Sequence, residues 1–243
     1  LQQKIRIEMP YKIEENMDDR RKIVTRSPHR RVGYIHCPWI QLERVEYESL
    51  LERDFVRIAL LSPGLLGIQS QPFRLDLAEL GTYTPDYLLI YPKNINLVVE
   101  VKPHNLVGSE KYQKLFTAAH RTLAERNFVF QVATEKSIRS DDRHERASIL
   151  LRYAKSQYAN SDLLRALAFA GTYPQGVRIS DLSVGANVSN ELVLHLIAKQ
   201  SLSIGRQLNF SPNHITKITS KGEQDGSIHP STWLGCKDWS TAF

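Results

Sequence analysis

Three residues in two neighbouring segments have the types and spacing for hydrolytic chemistry. Asp86 stands in Thr84-Pro85-Asp86-Tyr87, and Glu100 and Lys102 stand in Val99-Glu100-Val101-Lys102-Pro103. Side chains alternate faces along a strand, so Glu100 and Lys102 share one face while Val99 and Val101 share the other. Two carboxylates about 4 Å apart repel by about 4 kcal/mol at an effective dielectric near 20. A divalent cation between them reverses that sign. All-oxygen donors with positions left open suit a hard ion, Mg²⁺ or Mn²⁺, better than zinc. Lys102 could orient or deprotonate a water, or neutralise charge growing on an attacked phosphate. The bland alternative is a solvated hairpin face with an accidental Glu-x-Lys pair; the upstream Pro85-Asp86 weighs against it.

The elements that must position these residues are legible around them. Tyr87-Leu88-Leu89-Ile90-Tyr91 and Asn96-Leu97-Val98-Val99 are apolar runs of strand length, and Pro92-Lys93-Asn94 between them supplies a turn, so the pair reads as a β-hairpin that brings Asp86 beside Glu100. Upstream, Leu51, Phe55 and Ile58 follow helical spacing and predict a helix from Glu46 to Leu61, stopped by Ser62-Pro63-Gly64. On such a helix Glu48 and Glu52 lie on one face, mildly repelling; one of them faces a metal or substrate, or both face solvent, and periodicity alone favours solvent. Phe73, Leu75 and Leu77 alternate in a strand-like stretch that Pro72 bends or places at an edge. Downstream, Tyr112, Leu115, Phe116, Ala119 and Leu123 make the apolar side of a helix opening at Gly108 or Ser109 and running to about Arg126, followed by a buried strand over 128–133. A helix crossing between those two strands makes them parallel. The expected fold class is therefore α/β, a mixed sheet flanked by helices.

With 243 residues the chain has room for one large domain or two smaller ones. No stretch approaches the roughly 20 apolar residues of a membrane span, and Leu1-Gln2-Gln3-Lys4 lacks the apolar core of a signal peptide, so no membrane is expected and the compartment is read as cytoplasmic. The net charge of +6 is compatible with a polyanionic partner. Arg20, Arg21, Lys22, Arg26, His29, Arg30 and Arg31 lie in a stretch without an acid. Such an arm tracks DNA phosphates or is simply a solvated basic tail. Cys37 and Cys236 have no metal-site spacing and indicate neither zinc nor a disulfide framework.

Past a charged segment at 139–146, a helix ends near Tyr158 and the character of the chain changes. A helix over Asp162–Ala170, a short strand at Val177-Arg178-Ile179, a helix capped by Ser180 or Asp181, a helix capped by Ser189 or Asn190 and running to Gln200, and a pair of strands near 202–204 and 215–218 read as a small winged-helix domain. Its second helix carries Leu192, Val193, Leu194, Leu196 and Ile197, with Glu191, His195 and Lys199 on the remaining face. That face is a poor reader of base edges, which favours docking on protein. Trp233, Trp239 and Phe243 mark a tail that is either docked or offered to a partner.

Taken together, Glu52, Gln71, Pro85-Asp86 and Glu100-Val101-Lys102 resemble the TnsA endonuclease family, the restriction-endonuclease-like subunit of heteromeric bacterial transposases. The matching stretches run from Glu52-Arg53-Asp54-Phe55 through Ile68-Gln69-Ser70-Gln71 to Val99-Glu100-Val101-Lys102-Pro103, within about 45–135. The resemblance implies a basic arm (1–45), a restriction-endonuclease-like PD-(D/E)-x-K catalytic domain (46–158), a winged-helix domain (159–220) and a tail (221–243). It selects Glu52 over Glu48 as the helix acid, and it implies Asp86 and Glu100 as metal ligands, Glu52 as a further one, Lys102 as the catalytic lysine and Gln71 in support. The implied activity is Mg²⁺-dependent or Mn²⁺-dependent hydrolysis of one phosphodiester at each 5′ end of a transposon in double-stranded DNA. The implied partners are a DDE-type transposase (TnsB-like) and an AAA+ ATPase regulator (TnsC-like) in a bacterial cytoplasm. Two alternatives stand beside it: a free-standing restriction- or resolvase-type nuclease of the same fold, and a non-catalytic winged-helix DNA-binding protein.

Overall fold

The computed structural model describes residues 31–219 and 229–239. Of the basic arm, Arg20, Arg21, Lys22, Arg26, His29 and Arg30 lie outside the described residues, as does Phe243; Arg31 is described and exposed.

Two apolar periodicities build the first layer set. Strands β6 (Tyr87–Ile90) and β7 (Asn96–Val101) form the expected antiparallel hairpin, with Tyr87 opposite Val99 and Ile90 opposite Asn96. Lys93 and Asn94 in the turn take φ values of 59° and 58°, the left-handed region that asparagine tolerates well. Helix α3 (Glu110–Ala124) then crosses to β8 (Val129–Ala133), which pairs parallel with β7. Strand β3 (Gly67–Ser70) adds antiparallel to β6, and β12 (Lys237–Asp238) adds antiparallel to β8, giving a five-stranded mixed sheet in the order β12-β8-β7-β6-β3. Two small hairpins stand apart from it: β1 (Gly33–Ile35) with β2 (Val45–Tyr47), and β4 (Leu75–Asp76) with β5 (Thr82–Tyr83).

Alternation sorts the sheet into two faces. Leu88, Val98, Phe130 and Val132 pack with Phe116, Ala119 and Leu123 of α3. Tyr87, Leu89, Leu97 and Val99 pack with Phe55 and Ile58 of α1 (Leu50–Ala59) and with Leu150 of α5 (Arg143–Tyr153). Between β7 and α3 lies the one-turn helix α2 (His104–Val107), and between β8 and α5 lies α4 (Glu135–Ile138).

Helix α1 begins later than its periodicity implies. Ser49 is the N-cap, its hydroxyl accepting from Glu52 N–H at 3.1 Å. Ser49-Leu50-Leu51-Glu52 is a capping signature, and it stops the helix short of Glu48. Glu48 and Glu52 are therefore not one turn apart on a helix face.

The second half consists of α6 (Asn160–Gly171), β9 (Val177–Arg178), α7 (Ile179–Gly185), α8 (Asn190–Ala198), β10 (Leu202–Ser203) and β11 (Ile215–Ile218), with the strands in the antiparallel order β10-β11-β9. Helix α8 is buried from Leu192 through Ala198. His195 is among the buried residues, so the expectation that it lies on an open face is corrected: α8 packs on α5, and His195 Nδ1 sits 3.0 Å from Tyr153 O. Gln200 Nε2 likewise donates to Leu60 O, and one apolar cluster runs from α1 through α5 to α8.

The tail is docked at both described tryptophans. The short helix Pro230–Leu234 is held by Arg143, which is fully buried and donates from Nη1 to Leu234 O at 2.9 Å and from Nη2 to Trp233 O at 3.1 Å. Trp239 meets Phe116 edge-on at 5.2 Å.

Candidate active site

The hairpin register does the placing. Continuing the β6/β7 ladder one step beyond Tyr87–Val99 sets Asp86 opposite Glu100. Asp86 Oδ2 accepts from Val101 N–H at 2.7 Å, which pins the carboxylate to the neighbouring strand and leaves Oδ1 without a hydrogen bond among the described residues. Glu100 is 4% exposed. Its Oε1 takes the Lys102 ammonium at 2.7 Å, and its Oε2 accepts from the Tyr83 hydroxyl at 2.6 Å. The Lys102 ammonium also lies 5.3 Å from the centre of the Tyr112 ring on α3.

Glu52 reaches the cluster from the α1 side. Its Oε2 accepts from Glu48 N–H at 2.7 Å and stands 3.4 Å from the Tyr87 hydroxyl; its Oε1 accepts from the Ser49 hydroxyl at 2.8 Å. Glu52 thus stabilises the start of α1 while carrying its charge toward Asp86. Gln71 closes the other side: its backbone takes φ 45°, its N–H donates to Asp86 O at 2.8 Å, and its side-chain amide donates to Glu48 Oε1 at 3.3 Å.

The electrostatics are those of surplus negative charge. The Asp86 carboxyl is held well above the ordinary carboxylate range, first by burial and then by repulsion from Glu100 and Glu52, which Lys102 and the Val101 N–H only partly offset. Burial likewise raises Glu52, with Glu48 and Glu100 adding to it and the capping hydrogen bonds opposing. For Lys102, burial pulls the pKa down, but Glu100 and Asp86 outweigh it and leave the ammonium above its usual value. A lysine so held is a cation and a proton donor at neutral pH, and a poor base. Tyr83 is raised well above the phenol range by burial and by Glu100, so it stays protonated and donating.

The structure therefore brings Asp86, Glu100, Lys102, Glu52 and Gln71 to one end of the sheet. Among the described residues, no group of three or more His, Cys, Asp or Glu side chains is arranged to hold a metal ion. Tyr83 was missed by sequence reasoning. It lies on β5, outside the central sheet, and nothing in its local pattern announces a partner seventeen residues on. The role of Glu52 as a cap had a signal, the Ser49-Leu50-Leu51-Glu52 spacing.

A mixed sheet with an acid from each strand of a hairpin and a lysine two residues past the second acid is a nuclease-like arrangement. Residues 62–135, which hold β3 through β8 with Asp86, Glu100 and Lys102, match the family described as TnsA-like endonuclease N terminal. This part of the chain is similar to the TnsA-like endonuclease N-terminal domain, a likeness that supports a nuclease role in transposition, acting on DNA in a Tn7-type transposase complex. None of the curated proteins compared matches the chain. No helix among the described residues is long and apolar enough to cross a membrane.

Proposed function

We propose that the chain is a divalent-metal-dependent endodeoxyribonuclease subunit that hydrolyses a phosphodiester at the 5′ ends of a transposon during cut-and-paste transposition. The observation that carries this reading is Asp86 set opposite Glu100 by the hairpin register, with Glu100 ion-paired to Lys102, inside the segment that matches the endonuclease family.

Asp86 Oδ1, free of hydrogen bonds among the described residues, and the buried Glu100 are a donor set of the right hardness for Mg²⁺ or Mn²⁺, and their mutual repulsion is what a cation would relieve. Glu100 and Glu52 each have both carboxylate oxygens in hydrogen bonds, so each would take a cation through a remaining lone pair or by releasing one of those bonds. A divalent ion held by Asp86 and Glu100 would supply the positive charge that a phosphodiester needs as it is attacked and cleaved. Lys102 donates toward the phosphate from a position fixed by Glu100 Oε1. Tyr83 and the Val101 N–H keep the two acids from rotating away, so little reorganisation remains for the reaction step. The second half, read as a winged helix whose most apolar helix is buried, leaves end recognition to partners: a DDE-type transposase (TnsB-like) and an AAA+ ATPase (TnsC-like). The basic arm from Arg20 to Arg31 is a further proposed DNA contact.

The test is strand-specific cleavage of a labelled duplex bearing the cognate transposon end, with Mg²⁺ and both partners, comparing this protein with Lys102→Ala. Loss of the 5′-end nick alone, with the 3′ nick kept, is the expected result. Equal cutting by both proteins removes Lys102 from the chemistry, and robust cutting without partners returns the free-standing nuclease.

A further inference from the structure

A second concentration of charge, of the opposite sign, lies where α1, α4 and α5 meet. A cleft of about 440 Å³ is lined by Arg53, Asp54 and Arg57 of α1, by Arg139 after α4, and by His144, Glu145 and Arg152 of α5, among others. Four arginines face two acids. Asp54 is 1% exposed and is fully used: Arg53 donates to Oδ1 from Nε at 3.2 Å and from Nη2 at 2.8 Å, and Arg139 donates to Oδ2 at 3.1 and 2.9 Å. That leaves Arg57 at 3.7 Å from Oδ1, beyond hydrogen-bond range, and Arg152 without an ion pair among the described residues. His144 Nδ1 is buried there with no hydrogen-bond partner among the described residues. The Arg57 guanidinium is lowered from its usual pKa by burial and then by Arg53, with Arg152 adding to it. This is a concave, partly desolvated site with positive charge to spare and donors aimed at no acceptor.

We propose that this arginine cleft binds a backbone phosphate of the DNA. The proposal rests on the nuclease reading for its choice of ligand. Planar guanidinium forks suit phosphate oxygens. Helix α1 carries Glu52 toward the acid cluster on one face, and Arg57, five residues on and about 140° around the helix, toward the cleft on another. A phosphate held there tethers the duplex to the same helix that borders the acid cluster, through contacts that carry no sequence information.

The test is binding of a labelled 30-bp duplex of arbitrary sequence to the full chain by fluorescence anisotropy, in EDTA, across a range of KCl. In the Arg57→Gln/Arg152→Gln variant the slope of log K against log salt is expected to flatten by about 0.9, the change for one lost phosphate contact, with binding several-fold weaker at low salt. Arg57→Lys/Arg152→Lys should keep the slope. Arg152 is exposed, so Arg152→Gln alone keeps the fold and must weaken binding in the same direction; a melting curve identical to the wild type verifies this. An unchanged slope and affinity in the folded double variant overturns the proposal. So does loss of binding to a polyglutamate peptide with DNA binding unaffected, which would assign the cleft to an acidic protein segment. Because this binding assay contains no divalent metal, it is independent of cleavage: a wild type that binds here but never cuts in the Mg²⁺ assay with both partners would sink the nuclease reading and leave this readout standing.

Discussion

Two buried acids, Glu100 and Asp54, are set in opposite surroundings. Glu100 has one cation, Lys102, and two acidic neighbours, Asp86 and Glu52, each of which its charge pushes up. Asp54 has three arginines, two of them hydrogen-bonded to it in side-on pairs. A fold keeps a buried carboxylate by surrounding it with more positive charge than it carries, as at Asp54. Where the surplus is negative, as around Glu100, the arrangement costs stability and points to a cation that arrives later. On the proposed reading, the difference separates a carboxylate that serves the fold from carboxylates that serve the chemistry.

The sharpest way to break this comparison is to neutralise one acid at each place. Asp86→Asn keeps an acceptor for Val101 N–H but removes a charge that Glu100 and Glu52 repel. Cleavage by the complete complex should fall at least about 100-fold, while the metal-free melting temperature rises. A drop in melting temperature would mean that Asp86 stabilises the fold, and the contrast with Asp54 would collapse. Asp54→Asn should act the other way. It leaves Arg53, Arg57 and Arg139 facing one another without a counter-charge, and because those arginines are only partly buried the expected loss is about 2–4 kcal/mol by urea denaturation. A loss below 1 kcal/mol would show that Asp54 is no keystone of the α1–α4–α5 junction.

Much of what positions the acid cluster was legible because it is local. Period-two alternation in 87–90 and 96–101, a turn at Pro92-Lys93-Asn94, and a helical stripe at Phe116, Ala119 and Leu123 specify a hairpin and a crossover, and with them the meeting of Asp86, Glu100 and Lys102. The arginine cleft was not legible. Arg139 reaches Asp54 across 85 positions of sequence, and no periodicity reports a pairing that only the packing of α5 on α1 creates. Arg143 was hidden for the same reason: in a charged run it reads as solvated, yet it is the buried anchor of the tail. Helix α8 shows the limit of apolar patterning, which said that something covers it but not that α5 of the same chain does.

Tyr83 sharpens the comparison on a smaller scale. Tyr83→Phe removes the donor to Glu100 Oε2 and keeps the ring that packs beneath it. Glu100 then loses one of its two fixing contacts, so cleavage should fall roughly 10-fold for a cost in stability of about 1 kcal/mol. An activity loss that vanishes at saturating Mn²⁺ would identify Tyr83 as a positioning residue for the metal-binding acid. An equal loss at all metal concentrations would argue instead for a contact with the DNA.

The smallest effect lies away from both acids, where the two halves of the chain meet. His195 on α8 is lowered below its usual pKa near 6.5 mainly by burial, with Lys199 adding and the bond to Tyr153 O opposing. The folded chain keeps this imidazole neutral in a range where the unfolded chain protonates it. Stability from this site is therefore fully present above about pH 6.5 and is lost as pH falls from there through the lowered folded value. Carboxylates that titrate further down add their own slope, so the comparison is with His195→Gln, whose amide can still donate to Tyr153 O. Urea midpoints at pH 5.5 and 7.5 should differ more in the wild type than in the variant, by up to about 1 kcal/mol in unfolding free energy. Equal differences would mean that α8 opens from α5 before the chain unfolds, making the continuous apolar cluster two units that part at low pH.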